Sequence, residues 1–246
     1  MKFLCLMPVW NHRTDTISNA IQCFLDQTHK DAVLVICDDR PSECQIVRVH
    51  NDPKNVLLVK TAERIPSLPL KYTKMLEAAE GIDWDVVAIW DDDDGFLPLH
   101  LELAAEMYAD PSVKWTYPDT IFADYLGLNK IPTEGRFWSS ITVGRELLEQ
   151  IGGFQDTKAC AHDQMFLRRA SDAVPPGRPE IPSSVYRWGE NAENHCSGYS
   201  QGAADETWWG KTPHSCTGSL IVPSYDPWYL NTLLYIRNRF PEALSR

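Results

Sequence analysis

The sequence predicts an α/β protein whose N-terminal half builds a parallel sheet and whose second half adds strands to make it mixed. Three observations carry this expectation. Short unbroken apolar runs alternate with helix-patterned segments over the first hundred residues, the links between them are short, and polar clusters follow the apolar runs without interrupting them. A parallel strand is covered on both faces, so it reads as a continuous apolar run. Strand–helix alternation with short links implies right-handed crossovers within one sheet.

The first run is "KFLCLMPVW" (residues 2–10). Thr14 or Asp15 is placed to cap the helix after it, in which Ile17, Ala20, Ile21, Phe24 and Leu25 share one stripe. "AVLVIC" (32–37) and "NVLLV" (55–59) read as the second and third strands. "LKYTKMLEAAEG" then brings Tyr72, Met75, Leu76 and Ala79 to helical spacing, with Gly81 as terminator. "VVAIW" (86–90) is the fourth strand, and Pro98 suits the first turn of a helix with Leu101, Ala104, Ala105 and Tyr108 on its apolar stripe. Further on, "KWTYPDTIFADYLG" and "RFWSSITVG" suggest strands. "RELLEQIGGF" suggests a short helix closed by Gly152 and Gly153, and "HDQMFLRRASDA" and "WYLNTLLYIRNRF" suggest two more helices. From about Pro175 the chain turns rich in Pro, Gly, Ser and Asn, as loops over a site do.

Bulk properties narrow the function. With 246 residues, 43% hydrophobic and 23% charged, the chain suffices for one large α/β domain or two small lobes. The apolar opening is too short for a membrane span and lacks a small-residue cleavage site, so a cytoplasmic position, or one peripheral to a membrane, is expected. Seven scattered cysteines without a CxxC pair argue against a disulfide framework or a zinc site. A net charge of −11 disfavours broad binding to nucleic acid or anionic lipid, although Arg168, Arg169, Arg237 and Arg239 would allow a local basic strip. Nine tryptophans would serve either as core residues or as platforms for sugars or bases.

In a sheet of this class, ligands bind at the carboxyl ends of the strands. Three polar clusters stand there: Trp10-Asn11-His12, Asp38-Asp39-Arg40 and Asp91 to Asp94. The last is the most pointed. In "VVAIWDDDDGFLP" four adjacent carboxylates directly follow a buried strand, where they must face water or gather a cation. Mg²⁺ and Mn²⁺ take oxygen ligands and can be shared between a protein carboxylate and substrate phosphates.

Several stretches together resemble family 2 glycosyltransferases. "MPVWNH…TISNAIQCFLDQTH…LVICDD" is similar to the opening of that family, and "IWDDDDGFLP" to its Asp-x-Asp segment. "FWSSITVGRELLEQIGGF" is similar to the acceptor-side segment, "HDQMFLRRA" to the helix with the catalytic base, and "VYRWGENAENHCS" to a late loop. The resemblance runs over roughly residues 2–200, in the family's order. It implies a GT-A (Rossmann-like) fold, a nucleotide-sugar donor of the UDP type, a divalent cation (Mn²⁺ or Mg²⁺) and an inverting mechanism. Residues 1–98 would form the donor-binding half, 99–200 the acceptor-binding and catalytic half of the same domain, and 201–246 a C-terminal loop and helix.

Carried over by position, Pro8, Trp10 and Asn11 would line the nucleobase pocket, with Asp39 on the base and Asp38 supporting its loop. Asp91 and Asp93 would meet the metal, with His195 as a further ligand, and Asp92 and Asp94 would lie on the donor or the metal's waters. Asp163 would be the general base, a role for which an Asp at a helix start also has the alternative of N-cap; Asp156 and His162 are the other candidate bases. The chain departs from the family at Arg40-Pro41, where small residues are usual. A basic residue preceding the third helix has Lys71 as its nearest counterpart, with Lys60 or Arg64 as substitutes. Alternatives of other classes are a nucleotidyltransferase, for which "PVWNHRTDT" lacks the glycine-rich phosphate loop, and a non-catalytic glycan-binding protein. The hydroxyl acceptor would be a glycan, a lipid-linked sugar or, less in keeping with the charge, a hydroxymethylated DNA base.

Overall fold

A computed structural model describes residues 1–9, 14–40, 45–46, 48–49, 53–124, 127–135, 137–156, 162–187 and 227–245. The N-terminal half follows the expected alternation: β1 (Phe3–Pro8), α1 (Thr14–Leu25), β2 (Ala32–Asp38), β3 (Val56–Lys60), α2 (Leu68–Ala78) and β4 (Val86–Ile89). Then come β5 (Gly95–Phe96), α3 (His100–Met107), β6 (Trp115–Thr116), β7 (Thr120–Asp124) and β8 (Leu128–Pro132). The chain ends with β9 (Thr142–Gly144), α4 (Arg145–Gln150), α5 (His162–Ala173), β10 (Ser184–Tyr186) and α6 (Pro227–Arg239).

The main sheet has the order β3-β2-β1-β4-β9-β6. Its first four strands are mutually parallel, and β9 is antiparallel to both β4 and β6. The mixed α/β architecture is therefore the one the sequence predicts. A second sheet, β5-β10-β7-β8, stands beside it. Its strands β5, β8 and β10 were not expected: β5 is two residues long, and β10 lies in the stretch whose Pro and Ser content reads as loop. The helix expected to open at Pro98 begins at His100, with Leu99 as its N-cap. The segment 137–141, expected to be extended, is turn, and only Thr142–Gly144 pair as a strand.

Strand alternation sorts the core. Phe3, Cys5 and Met7 of β1 face α1 and join Ile17, Ala20, Ile21 and Phe24 with Leu101 and Ala104 of α3. Leu4 and Leu6 face the other way and join Tyr72 and Met75 of α2 with Phe166 and Ala170 of α5. Cys5 and Cys37 behave as small buried hydrophobes: burial holds the Cys5 thiol well above its ordinary pKa and pushes that of Cys37 up to about 11. A third cluster of Leu97, Phe122, Val185 and Ile236 closes α6 onto the second sheet. At the end of α4, Gly152 and Gly153 adopt φ of 79° and 67°, the left-handed turn their residue type permits.

Trp90 fastens the end of β4. Its indole N–H donates to the Ala20 carbonyl of α1 at 3.0 Å, and its ring stacks on Phe96 at 3.8 Å between centroids. Phe96 in turn receives, at its carbonyl, the hydroxyl of Tyr229 at 2.7 Å, so α6 is tied to the same point. Gly95 between them admits that approach, because a Cβ there would stand 3.1 Å from the Tyr229 ring. Trp90→Ala removes the fully buried ring, and urea unfolding will show a loss of about 3–5 kcal/mol in stability.

Candidate functional site

The register of the parallel strands brings three chain segments to one sheet edge. Pro8 of β1 pairs with Cys37 of β2, and Leu6 with Ile89 of β4. Val9, the Asp38-Asp39-Arg40 corner and the aspartates after Trp90 therefore leave the sheet side by side. Trp10 and Asn11, expected to belong to the same edge, lie outside the described residues, as does His195.

At the end of β2 the two aspartates face protein groups. Asp38 accepts from Arg40 Nε and Arg40 Nη2, both at 2.8 Å, and from the Ile46 amide at 2.7 Å. It holds its own loop and is almost wholly buried, in keeping with a residue that supports the loop carrying Asp39. Arg40, the departure from the family's small residue, is the cation that satisfies it.

Asp39 is paired with Lys71 at 2.7 Å, and the two side chains are only 2% and 1% exposed. Lys71 Nζ also donates to the Val9 carbonyl at 2.9 Å, and the second Asp39 oxygen accepts from the Ile65 amide at the same distance. Among the three basic residues considered for this place, Lys71 is the one that reaches the Asp39 carboxylate. Its position follows from α2: Ser67 caps the helix by accepting from the Leu70 amide at 3.4 Å, and Lys71 points across the ends of β1 and β2.

The four aspartates are not equivalent. Asp91 and Asp93 are half-buried, whereas Asp92 and Asp94 are 3% and 2% exposed. Asp94 accepts from the Ser139 hydroxyl and, at 3.0 Å, from the Arg187 amide. It ties the end of β4 to the turn before β9 and to the end of β10. The half-buried Asp91 and Asp93 offer hard oxygen donors, the type that Mg²⁺ or Mn²⁺ accepts. Among the described residues no group of three or more His, Cys, Asp or Glu side chains converges in a metal-binding arrangement. A cation held by Asp91 and Asp93 would take its other ligands from outside the described residues, from water or from phosphate.

Asp163 arrives from the other half of the chain. It is the second residue of α5, inside the helix and not its N-cap, where an acidic residue complements the helix dipole. Its Oδ1 accepts from the Gln164 amide at 2.7 Å. The point where it meets the aspartate run is Tyr72. This phenol is fully buried, and burial first, then the charge of Asp91, with further contributions from Asp163 and Asp92, holds its pKa well above the ordinary value. The Tyr72 hydroxyl accepts from the indole N–H of Trp138 at 2.8 Å.

Trp138 in turn lies edge-on to His162, at 5.8 Å, and to Phe166, at 5.1 Å. Burial lowers the pKa of His162 against the opposing pull of Asp163, and its Nε2 is buried without a hydrogen-bond partner. Asp156, another candidate base, is exposed just beyond α4. Of the four arginines of the expected basic strip, Arg169 donates to the carbonyls of Ile151 and Gly153 and so closes α4. The sequence reading placed Tyr72 on the core stripe of its helix and left Trp138 without a role. The proximity of "FWSS" to the expected acceptor side was the only signal for it.

No protein-family model matches this sequence, and no curated protein matches it either. Solved structures do. The fold is shared with S. aureus TarS. The structure of its residues 1–349 superposes with a TM-score of 0.60 at 13% identity, over 76% of this chain and 60% of that one. The same TarS segment in complex with UDP-GlcNAc gives 0.60 at 14% identity over 78% and 60%, and its complex with UDP gives 0.59 at 13% over 76% and 60%. This chain thus spans about three-fifths of the TarS segment it matches.

The Asp39–Lys71 pair generates a direct test. Lys71→Met leaves a buried carboxylate without its cation, and denaturant unfolding will register a loss of about 3–5 kcal/mol. Combining it with Asp39→Leu recovers a large part of that loss, because the uncompensated charge is gone.

Proposed function

We propose that this protein transfers a sugar from a UDP-sugar donor to a hydroxyl acceptor, with inversion at the anomeric carbon. One observation carries the reading: the parallel register of β1, β2 and β4 sets the Asp91–Asp94 run beside the Asp38-Asp39 corner at the carboxyl edge of the sheet, in a fold shared with TarS. An inverting transfer needs a base at the acceptor hydroxyl and, separately, stabilisation of the negative charge that builds on the leaving diphosphate. Agreement in fold with TarS, which has been solved with UDP-GlcNAc and with UDP, supports a nucleotide-sugar donor.

In this reading the acceptor hydroxyl gives its proton to the Asp163 carboxylate as its oxygen bonds to the anomeric carbon. The bond from that carbon to the diphosphate breaks, and its electron pair leaves with UDP. Asp91 and Asp93 would hold a Mn²⁺ or Mg²⁺ ion, His195 being a further ligand. Such an ion supplies, when bound, Lewis-acid stabilisation of the charge building on the leaving diphosphate. The edge above the Asp39–Lys71 pair, with Pro8, Trp10 and Asn11, would receive the nucleoside, and Asp92 would support the sugar or ribose. Among the described residues no helix is long and apolar enough to cross a membrane, so a lipid-linked acceptor would be met at a membrane surface.

A screen of UDP-sugars with Mn²⁺, read by thermal shift and by UDP release, tests the proposal. The cognate donor raises the melting temperature as its occupancy rises; no shift and no UDP release with any donor would refute the reading. Asp93→Ala abolishes the metal-dependent part of the donor-induced shift. An unchanged shift removes Asp93 from the site. Asp163→Asn preserves donor binding and lowers kcat by about 10²- to 10⁴-fold, the range of general-base catalysis. Single-turnover assays at saturating donor check this.

A further inference from the structure

We infer that Tyr72 and Trp138 form a positioning pair that sets the place of Asp163 relative to the strand-edge aspartates; the inference rests on the glycosyl-transfer reading above for its kinetic consequence. The two residues belong to different halves of the chain. Tyr72 follows Lys71 in α2, and Trp138 lies in the turn that leads into β9. Their side chains meet through one hydrogen bond, indole N–H to phenol oxygen at 2.8 Å, between residues that are both buried.

From this bond, contacts run both ways. Toward the donor side, the adjacent Lys71 grips Asp39 and the Val9 carbonyl, so α2 cannot turn without disturbing the ends of β1 and β2. Toward the base, the indole ring meets His162 and Phe166 edge-on, and these residues flank Asp163 within the first turns of α5. Phe154 completes the enclosure, stacking on Phe166 at 5.4 Å and tilting against Tyr72 at 4.7 Å. The start of α5 therefore rests on an aromatic wall that contains the Tyr72–Trp138 bond. On its outer side Gln164 Nε2 donates to the Gly135 carbonyl at 2.8 Å, a second polar tie that leaves the inner face to the wall.

A polar fastening differs from plain packing because it has direction. An apolar wall alone lets a helix slide by a fraction of an ångström at little cost, whereas the Tyr72–Trp138 hydrogen bond fixes the indole against which His162 and Phe166 of α5 pack. A general base tolerates little displacement, since a shift of about 1 Å can cost about 100-fold in rate. Tyr72 and Trp138 touch neither substrate nor reacting atoms in this account. They act through Asp163.

The test uses Trp138→Phe and Tyr72→Phe, each of which keeps an aromatic ring and removes the same hydrogen bond, together with the double variant. Sugar-transfer kinetics are combined with amide hydrogen exchange over residues 166–170 of α5. The expected result is a fall in kcat of about 10- to 100-fold in either single variant, a donor KM within about twofold of the parent, and no further loss in the double variant. Exchange over 166–170 quickens in all three. A kcat equal to the parent's, a loss that falls equally on donor KM, additive losses in the double variant, or unchanged exchange in α5 would each overturn the pair's role. Should the parent protein transfer no sugar, the function reading fails on its own. The exchange measurement then still decides the tie, quicker exchange supporting it and unchanged exchange overturning it.

Discussion

The structure depends on the register of β1. This central strand, buried along all six residues, pairs in parallel with β2 on one side and β4 on the other. Its register sets Val9 level with Asp38 and Met7 level with Trp90, so that the chain beyond Trp90 leaves the sheet beside the Asp38-Asp39 corner. Because successive side chains of β1 alternate between faces, the same strand also decides which helices lie in front of the sheet and which behind. Slipping the register by one residue would exchange the two faces of β1 and move the acidic corner of β2 away from the aspartates of β4.

On that frame α2 has a double attachment. Lys71 and Tyr72 are neighbours in sequence and so point about 100° apart around the helix. One reaches over the ends of β1 and β2 to Asp39, and the other turns to Trp138 and the base helix. Buried polar fastenings of this kind are costly unless fully satisfied. Here the Asp39 oxygens, the Lys71 ammonium and the Tyr72 hydroxyl all have partners within hydrogen-bond distance. The edge is thus held by charge-assisted bonds on one side and a neutral bond on the other, with one short helix carrying both.

The sheet was legible because burial on both faces leaves an unbroken apolar run, and β1, β2, β3 and β4 each begin and end within two residues of their runs. The helices of the first half were legible for the complementary reason, an apolar stripe against one face. What could not be read was pairing between short segments: β5, β8 and β10 depend on partners brought together by the fold, and the two residues of β5, three of β10 and five of β8 hold too little pattern to announce a strand. At the candidate site, residue types were readable and orientations were not. Nothing in "CDDR" says that Arg40 turns back onto Asp38. Nothing in "KYTKML" says that the tyrosine hydroxyl, on an otherwise apolar stripe, ends beside an indole from 66 residues away.

The run of four aspartates shows what that difference means chemically. As a sequence it is a uniform negative patch; in the fold it alternates, half-buried at Asp91 and Asp93 and buried at Asp92 and Asp94, as a chain leaving a strand would have it. Asp94 gives its oxygens to Ser139 and Arg187 and so joins the second sheet to the first. Asp91 and Asp93 are the half-buried members of the run. Two hard oxygen donors on one edge make a weak cage for a divalent ion, but they suit an ion that also binds a diphosphate, because the phosphate oxygens complete its coordination.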